Sequence, residues 1–497
     1  MMGTQPSIVL VTVDCLRADH TGFMGYGRPA TPFLDSLAAQ SFVFPTAIVA
    51  GAPTYYSFPS ILASRYSLAL GRDVLGLAPE EPSLASVLKQ SGYATASFSA
   101  ANPYISSRFG YDQGFDTFRD FLDGEPAAPI EGGADAAVSS GWASRVNRRV
   151  QAIRPAMGPL GIVYDELYFR YCQRVTPVPN SLDALRRFPA ADVIVGRACE
   201  WLANTGDAPF FLWIHLMDPH APYYPKDAAI ELMGGGPITP RHARYLNSYW
   251  NRSDLGPDRL ARHRDEVVAL YDAGIRWVDA QMARLVETLR TSNRWNNCIF
   301  ALTADHGEEF LDHGGRYHPP SKLMEELIHV PLLVRVPGKA KQAVSKSPFS
   351  LLDLAPTLLE AARCTIPSEF QGRSRWEEVS RGLPGERVAL SECVAGCTNP
   401  FHPEKRLGPR VLSVREGRFK LMLQFEPRAE YLYDLEADPG EHAPLAPSAQ
   451  IAVRRRLLEI AREHIQYSSD ERDPQMRARA RLRDLQLEWT RSFPQSS

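Results

Sequence analysis

The run IVLVTVDCLRADH, Ile8 to His20, decides the fold. Its apolar part, Ile8 to Val13, is short, rich in valine and isoleucine, and ended by Asp14, which reads as a buried strand. Similar runs recur at Ala94 to Ser99, Phe210 to Leu216, Ile299 to Thr303 and Val330 to Val336. Between them Pro32 to Ala39, Ser83 to Gln90 and Val267 to Leu289 carry apolar residues at three-to-four spacing, the mark of crossover helices. This alternation predicts an α/β fold with a mostly parallel central sheet. Ligands of such sheets bind beyond the carboxyl ends of the strands. The polar residues placed there, Asp14, His215 with Asp218, and Asp305 with His306, are therefore the first site candidates.

The wider chain fits a large globular protein. Its 497 residues suffice to bury a deep site, and 44% apolar with 23% charged residues is ordinary for a folded protein. A formal charge of -2 offers no long-range attraction for nucleic acid, and no such partner is expected. The amino terminus has no basic segment or cleavage signature of a secretory leader, and no stretch approaches a membrane span. A cytoplasmic protein without an integral membrane segment is the expectation. Seven scattered cysteines do not read as a disulfide framework, and Cys393 with Cys397 lack a second pair to complete a zinc set.

Two divisions are expected: a catalytic domain over 1–385 and a smaller carboxyl-terminal α+β subdomain over 386–497. Gly124 to Val178, rich in Gly, Ala, Ser and Arg, reads as an insertion that shapes substrate access. VLSVREGRFKLML and EYLYDL predict a small antiparallel sheet, and the Arg- and Glu-rich segment Ala452 to Trp489 a solvated helix.

Chemistry concentrates in three places. Asp14, and Asp305-His306 in TADHGEEFLDHGG, combine carboxylate oxygens with an imidazole, which suits a divalent cation that polarises a phosphoryl or sulfuryl oxygen. Singly, each aspartate reads better as a helix cap, and it is the combination with the hydroxyl-bearing segment that favours a cation site. GAPTYYSFPSILASRYSL, Gly51 to Leu68, sets hydroxyl residues just before a helix-like stretch, where free N–H groups favour an anion. Thr54 and Ser57 both qualify there as nucleophiles, and both as caps. HLMDPHAPYYP brings His220, a candidate to assist the leaving group.

Taken in order, these segments resemble the sulfatase-like branch of the alkaline phosphatase superfamily. IVLVTVDCLRADHTGFMGYG is similar to the family's opening strand, and SVLKQSGYATA with GYDQGFDTF to its next strand unit. ALTADHGEEFLDHGG, EELIHVPLLVRVPG, LLDLAPTLLE and EYLYDLEADPGE follow in the family's order. The resemblance implies an alkaline-phosphatase-like sandwich with a smaller carboxyl-terminal subdomain. Aligned on ILASRY, the family motif C-x-P-S-R falls on Thr54-Tyr55-Tyr56-Ser57-Phe58, so Thr54 stands where sulfatases carry formylglycine. Threonine is not a substrate for that oxidation, and no formylglycine is expected. A threonine there is similar to the phosphodiesterases and phosphoethanolamine transferases of the superfamily, which form a phospho-enzyme.

The resemblance implies a metal set of Asp14, Thr54, Asp305 and His306. It assigns catalytic roles to Thr54, His220 and His318, and substrate contacts to Ser57 and Asn102. Cys15 replaces the family's second consecutive aspartate, which favours manganese or zinc over calcium, with magnesium possible. One tightly bound metal is expected; the alternative is a second cation on Asp218, His220 and His318. The implied activity is hydrolysis or transfer of phosphate mono- or diesters through a covalent Thr54 intermediate. Its substrates would be small-molecule, glycan or lipid-type anionic esters. Sulfate-ester hydrolysis by an unmodified hydroxyl, and a degenerate anion-binding protein, are the alternatives.

Overall fold

A computed structural model describes residues 5–68, 76–122, 142–338, 343–344, 347–381, 388–395, 397 and 408–469. At its centre is an eight-stranded mixed sheet. Its spatial order is Ala343–Val344, Phe42–Val43, Leu332–Arg335, Cys298–Ala304, Ser7–Val13, Phe210–Leu216, Ala94–Ser99 and Thr117–Arg119. The five strands from Cys298–Ala304 to Thr117–Arg119 run parallel. All seven residues of both Phe210–Leu216 and Cys298–Ala304 are buried, as strands covered on both faces must be.

The predicted run Val330 to Val336 divides instead of forming one strand. Pro331 lacks an N–H, so the ladder breaks there. His329–Val330 pairs with Ala47–Ile48 in a separate small sheet, and Leu332–Arg335 lies antiparallel to Cys298–Ala304.

The crossover helices take the expected places. Leu84–Gln90 opens with a capping box between Ser83 and Ser86. Arg264–Thr291 turns Val267, Tyr271, Ile275, Val278, Met282 and Leu285 inward at three-to-four spacing. Burial of each such large side chain contributes about 1.5–3 kcal/mol, enough in sum to hold the strand ends rigid. Two aspartates are buried on that helix. Asp272 receives His20, Tyr26 and Arg28, while Asp279 accepts the amides of Phe33 and Leu34 at the start of helix Pro32–Ala38.

The insertion is helical where described: Trp142–Ile153 and Pro159–Val175, linked by hydrogen bonds from Gln151 and Arg154 to Asp165. Its first part, 124–141, lies outside the described residues. The carboxyl-terminal sheet is an antiparallel meander of Val388–Val394, Arg410–Glu416, Phe419–Phe425 and Arg428–Asp434. Helix Ile451–Ser469 is not solvated all round: Leu457 and Ala461 pack on Leu412, Val414, Leu421 and Leu432. The tail beyond Ser469 lies outside the described residues.

A charged seam joins this sheet to the larger body. Lys420 Nζ lies 3.1 Å from Glu325 Oε1 and 2.7 Å from Glu441 Oε1, Arg415 also pairs with Glu325, and all four side chains are largely buried.

Candidate active site

Parallel register brings the chemistry together. Val13 pairs with Leu216 on one side and Ala304 on the other, so Asp14 and Asp305 leave adjacent strands at the same level, with His215 one residue before its strand ends. Cys15 then takes a left-handed φ of 60°, which costs a non-glycine residue energy and sharply turns the chain. Tyr271 holds that turn: its hydroxyl donates to Cys15 O (2.6 Å) and accepts from Arg17 N (3.0 Å).

Thr54 is the first residue of helix Thr54–Ala63, all ten residues of which are buried. Its hydroxyl donates to Asp305 Oδ2 at 2.8 Å and lies 3.2 Å from His306 Nε2. His306 Nδ1 donates to the Gly307 carbonyl at 2.8 Å. A carbonyl only accepts, so Nδ1 carries a proton, and in the neutral ring Nε2 presents a lone pair. That lone pair faces Thr54 Oγ, Asp14 Oδ1 (3.6 Å) and Asp305 Oδ2 (3.6 Å).

Asn102 Nδ2 donates to Asp14 Oδ2 at 2.9 Å, and His215 Nε2, 3.5 Å from the same oxygen, is buried with no hydrogen bond of its own. Burial drives Asp305 above the ordinary carboxylate range, and neighbouring Asp14 adds to the rise. Burial would raise Asp14 too, but His220, His215 and His306 outweigh it and hold that carboxyl well below the usual range.

These donors fit a divalent cation. Two fully buried carboxylates have no lysine or arginine partner among the described residues, and an imidazole and a hydroxyl complete a mixed oxygen–nitrogen set. Asp14, His215 and Asp305 also place one donor atom each within 4.8 Å of one another, as do Asp14, Cys15 and His306.

A pocket of about 520 Å³ opens on this cluster, lined by Thr54, Asn102, His220 and His318 together with Tyr55, Tyr104, Phe188 and Met217. A larger hollow of about 720 Å³ at the sheet edge, beside Arg119, Arg197 and Trp201, has none of these groups. Of the residues singled out from sequence, Thr54, Asn102, His220 and His318 face the pocket. Asp14, Asp305 and His306 stand behind Thr54.

Ser57 does not face the pocket. It is fully buried and donates to the Thr54 carbonyl, one turn back along the helix. Asp218 does not join His220 and His318 in a ligand group: Arg186 occupies its Oδ1 at 2.8 Å. Their third donor is Cys15. No residue from 142 to 178 lines the pocket, so the described part of the insertion does not shape its walls.

His215, singled out from sequence by its strand-end position, joins the donors, whereas sequence reading missed Glu308, which accepts from His318 Nδ1 at 3.2 Å. Glu308 had the signal of following Asp305-His306.

Sheet order and strand-end site define an α/β protein of the alkaline-phosphatase-like class. The chain belongs to the sulfatase family: the family model "Sulfatase" matches residues 6–364, and the model "N-sulphoglucosamine sulphohydrolase, C-terminal" matches residues 316–464. It is 24% identical to an arylsulfatase of Clostridium perfringens, over 90% of this chain and 92% of the other. Two solved structures share the fold. The phosphonate monoester hydrolase of Agrobacterium radiobacter matches with a TM-score of 0.61 and 19% identity, over 94% of this chain and 96% of that one. A protein in complex with its substrate D-glucosamine-2-N,6-O-disulfate matches with 0.64 and 18%, over 95% and 99%. Enzymes of this family bind a divalent metal. No described helix is long and apolar enough to cross a membrane.

Proposed function

We propose that this chain hydrolyses or transfers phosphate mono- or diesters, with Thr54 Oγ as nucleophile and a covalent phospho-threonine intermediate. The observation that carries this reading is the Thr54 hydroxyl, at a buried helix N-terminus, donating to Asp305 Oδ2 at 2.8 Å. Asp14, Asp305, His306 and Thr54 Oγ would hold the cation, with manganese or zinc favoured by the mixed donor set. When bound it supplies Lewis-acid polarisation of the ester oxygen and stabilises the threonine alkoxide.

The side chains account for the rest. The hydrogen bond to Asp305 Oδ2 fixes the direction of Thr54 Oγ, which loses its proton to solvent and attacks phosphorus in line as the ester oxygen departs; water or an acceptor hydroxyl then takes the phosphoryl group from Thr54. The N-terminus of helix Thr54–Ala63 faces the non-bridging oxygens with its dipole. Asn102 fixes Asp14, and His220 with His318 stands on the leaving-group side of the pocket. Tyr55, Tyr104, Phe188 and Met217 give that side an apolar wall, which suits a small ester with an aromatic or aliphatic leaving group. The seven free thiols are in keeping with the cytoplasm; cell fractionation that finds the protein outside would refute that placement.

The sulfatase name of the full-length relative favours a second reading, sulfate-ester hydrolysis by the unmodified Thr54 hydroxyl. One experiment separates the two. Initial rates are measured on matched aryl phosphate monoester, phosphodiester and sulfate, after chelation and return of manganese, zinc, magnesium or calcium. The expected result is a metal-restored phosphoester rate that falls at least about 10⁴-fold in Thr54→Ala, with a phosphorylated Thr54 peptide trapped at low pH. Preference for the sulfate selects the second reading. Equal rates in wild type and Thr54→Ala refute both, and metal uptake without turnover of any ester points to a binding protein.

A further inference from the structure

We propose that the helical hairpin of Trp142–Ile153 and Pro159–Val175 is a docking surface for an anionic lipid bilayer, on which it lies flat with its outward apolar residues in the headgroup layer. Docking there is independent of the ester chemistry in the pocket.

One side of the hairpin is taken up by the body of the protein. Phe169 packs against Tyr245 and Tyr249, with ring centroids 5.6 and 5.9 Å away, and the Arg252 guanidinium lies 4.7 Å over its ring. Glu166 accepts from Arg252 at 2.8 Å and from Arg259 at 3.0 Å. The first helix turns Asn147, Gln151 and Arg154 toward Tyr164 and Asp165 of the second.

The other side carries apolar side chains into solvent. Leu160, Val163, Leu167 and Tyr171 recur at three-to-four spacing, form one stripe of the second helix opposite Phe169, and are 40–69% exposed. Val146 and Ile153, seven residues apart on one face of the first helix, are exposed as well. A surface helix normally turns such a stripe inward, so six large apolar residues directed outward on two adjacent helices mark an interaction face.

Charge selects the partner. The two helices and the turn between them hold six arginines, no lysine and two acids. Both acids are committed within the protein, Asp165 to Gln151 and Arg154, and Glu166 to Arg170, Arg252 and Arg259. Arg145, Arg148, Arg149 and Arg174 are exposed and have no ion pair among the described residues. A second copy of the chain would set these arginines against their own kind, because a two-fold interface pairs a patch with itself. An anionic bilayer meets both demands, offering phosphate to the guanidinium groups and hydrocarbon to the stripe. Two acids and two arginines within the 17 residues of the second helix bar it from crossing the bilayer, so it rests on the surface.

The full-length protein is mixed with vesicles of phosphatidylcholine alone, or with an equal share of phosphatidylglycerol, and the bound fraction is read by flotation. Wild type is expected to float with the anionic vesicles, and to bind at least about tenfold more weakly to phosphatidylcholine alone or at about 1 M salt, where screening shortens to about 3 Å. Leu160→Glu with Leu167→Glu, and separately Arg148→Glu with Arg149→Glu, should each lower the partition at least about tenfold. Val163→Ser with Leu167→Ser replaces the first pair should that variant depart from the wild-type circular dichroism. Turnover of a soluble ester is expected to be unchanged in all of them, which keeps this test apart from that of the pocket. Wild type that does not float with anionic vesicles, or variants that float as wild type does, overturns the docking. A dimer in sedimentation that Leu160→Glu with Leu167→Glu abolishes, without any flotation, also overturns it and gives the face to a second copy.

Discussion

Two clusters of buried charge in this chain are balanced by different means. At the seam with the carboxyl-terminal sheet, Glu325 and Glu441 face Lys420 and Arg415, two carboxylates against two permanent cations. Burial pushes Glu325 up, but Lys420 and Arg415 outweigh it and hold the carboxyl down to about 2. At the strand ends, Asp14 and Asp305 are just as buried, yet their ionic partners among the described residues are histidines at 3.5 to 3.6 Å; each cluster keeps one carboxyl raised by burial, Glu441 and Asp305, and one held down, so the difference lies in the partners. Desolvating an ion costs several kcal/mol wherever it occurs. The seam offsets this with covalently attached counter-charge, which makes it a fastener. The strand ends offset it with lone-pair donors suited to an exchangeable cation, which makes them a site.

The sharpest way to break this contrast is to remove the fastener's cation. Lys420→Met leaves Glu325 and Glu441 buried with a smaller counter-charge, and breaking such a pair typically costs about 3–5 kcal/mol. Urea unfolding is expected to show that loss while cation uptake at the strand ends stays at the wild-type level. A loss under about 1 kcal/mol would mean the seam is held by packing alone.

The converse treatment acts on the site. A cation that binds only the folded chain stabilises it by about 2.7 kcal/mol at a hundredfold excess over Kd. Chelation should therefore lower the melting temperature of wild type and of Lys420→Met alike, and leave Asp305→Asn nearly unmoved. Identical melting of wild type with and without chelator would erase the distinction drawn between the two clusters.

The contrast also explains what the sequence made legible. Asp14 and Asp305 stand out because each terminates an uninterrupted apolar run, and a parallel sheet aligns such ends. Thr54 against Ser57 is a matter of helix phase: one turn separates a hydroxyl aimed at Asp305 from one bonded to the Thr54 carbonyl. His215 was legible in the same way, from its place at the end of a strand, whereas Cys15 depends on a left-handed turn that no local pattern announces. Lys420 reads as the polar member of an alternating strand. Its partners lie at Glu325 and Glu441, and only tertiary packing reveals that the lysine is inside. Pro331, by contrast, was legible as a ladder breaker on its own chemistry, and the long strand expected across it was the error.

Asp279 sharpens the comparison at the smallest scale, because it is a buried carboxylate of a third kind, its charge met mostly by backbone. It accepts the amides of Phe33 and Leu34 at 3.0 and 2.8 Å, with Arg276 at 2.9 Å. Burial nevertheless pushes its carboxyl up from 3.8 to about 6. Because the folded chain holds this proton more tightly than the unfolded one, the contribution is fully present below about pH 4 and is lost as pH rises through 6. Unfolding free energy should thus carry a falling component between pH 4 and 6, on the order of 3 kcal/mol for a rise from 3.8 to about 6 at about 1.4 kcal/mol per unit. Asp279→Asn removes the titrating group and should flatten that component. It should also cost a constant amount, since an amide offers one acceptor oxygen to two N–H donors. Parallel wild-type and variant curves across this range would show that Asp279 is ionised throughout, its charge fully met by the helix amides and Arg276.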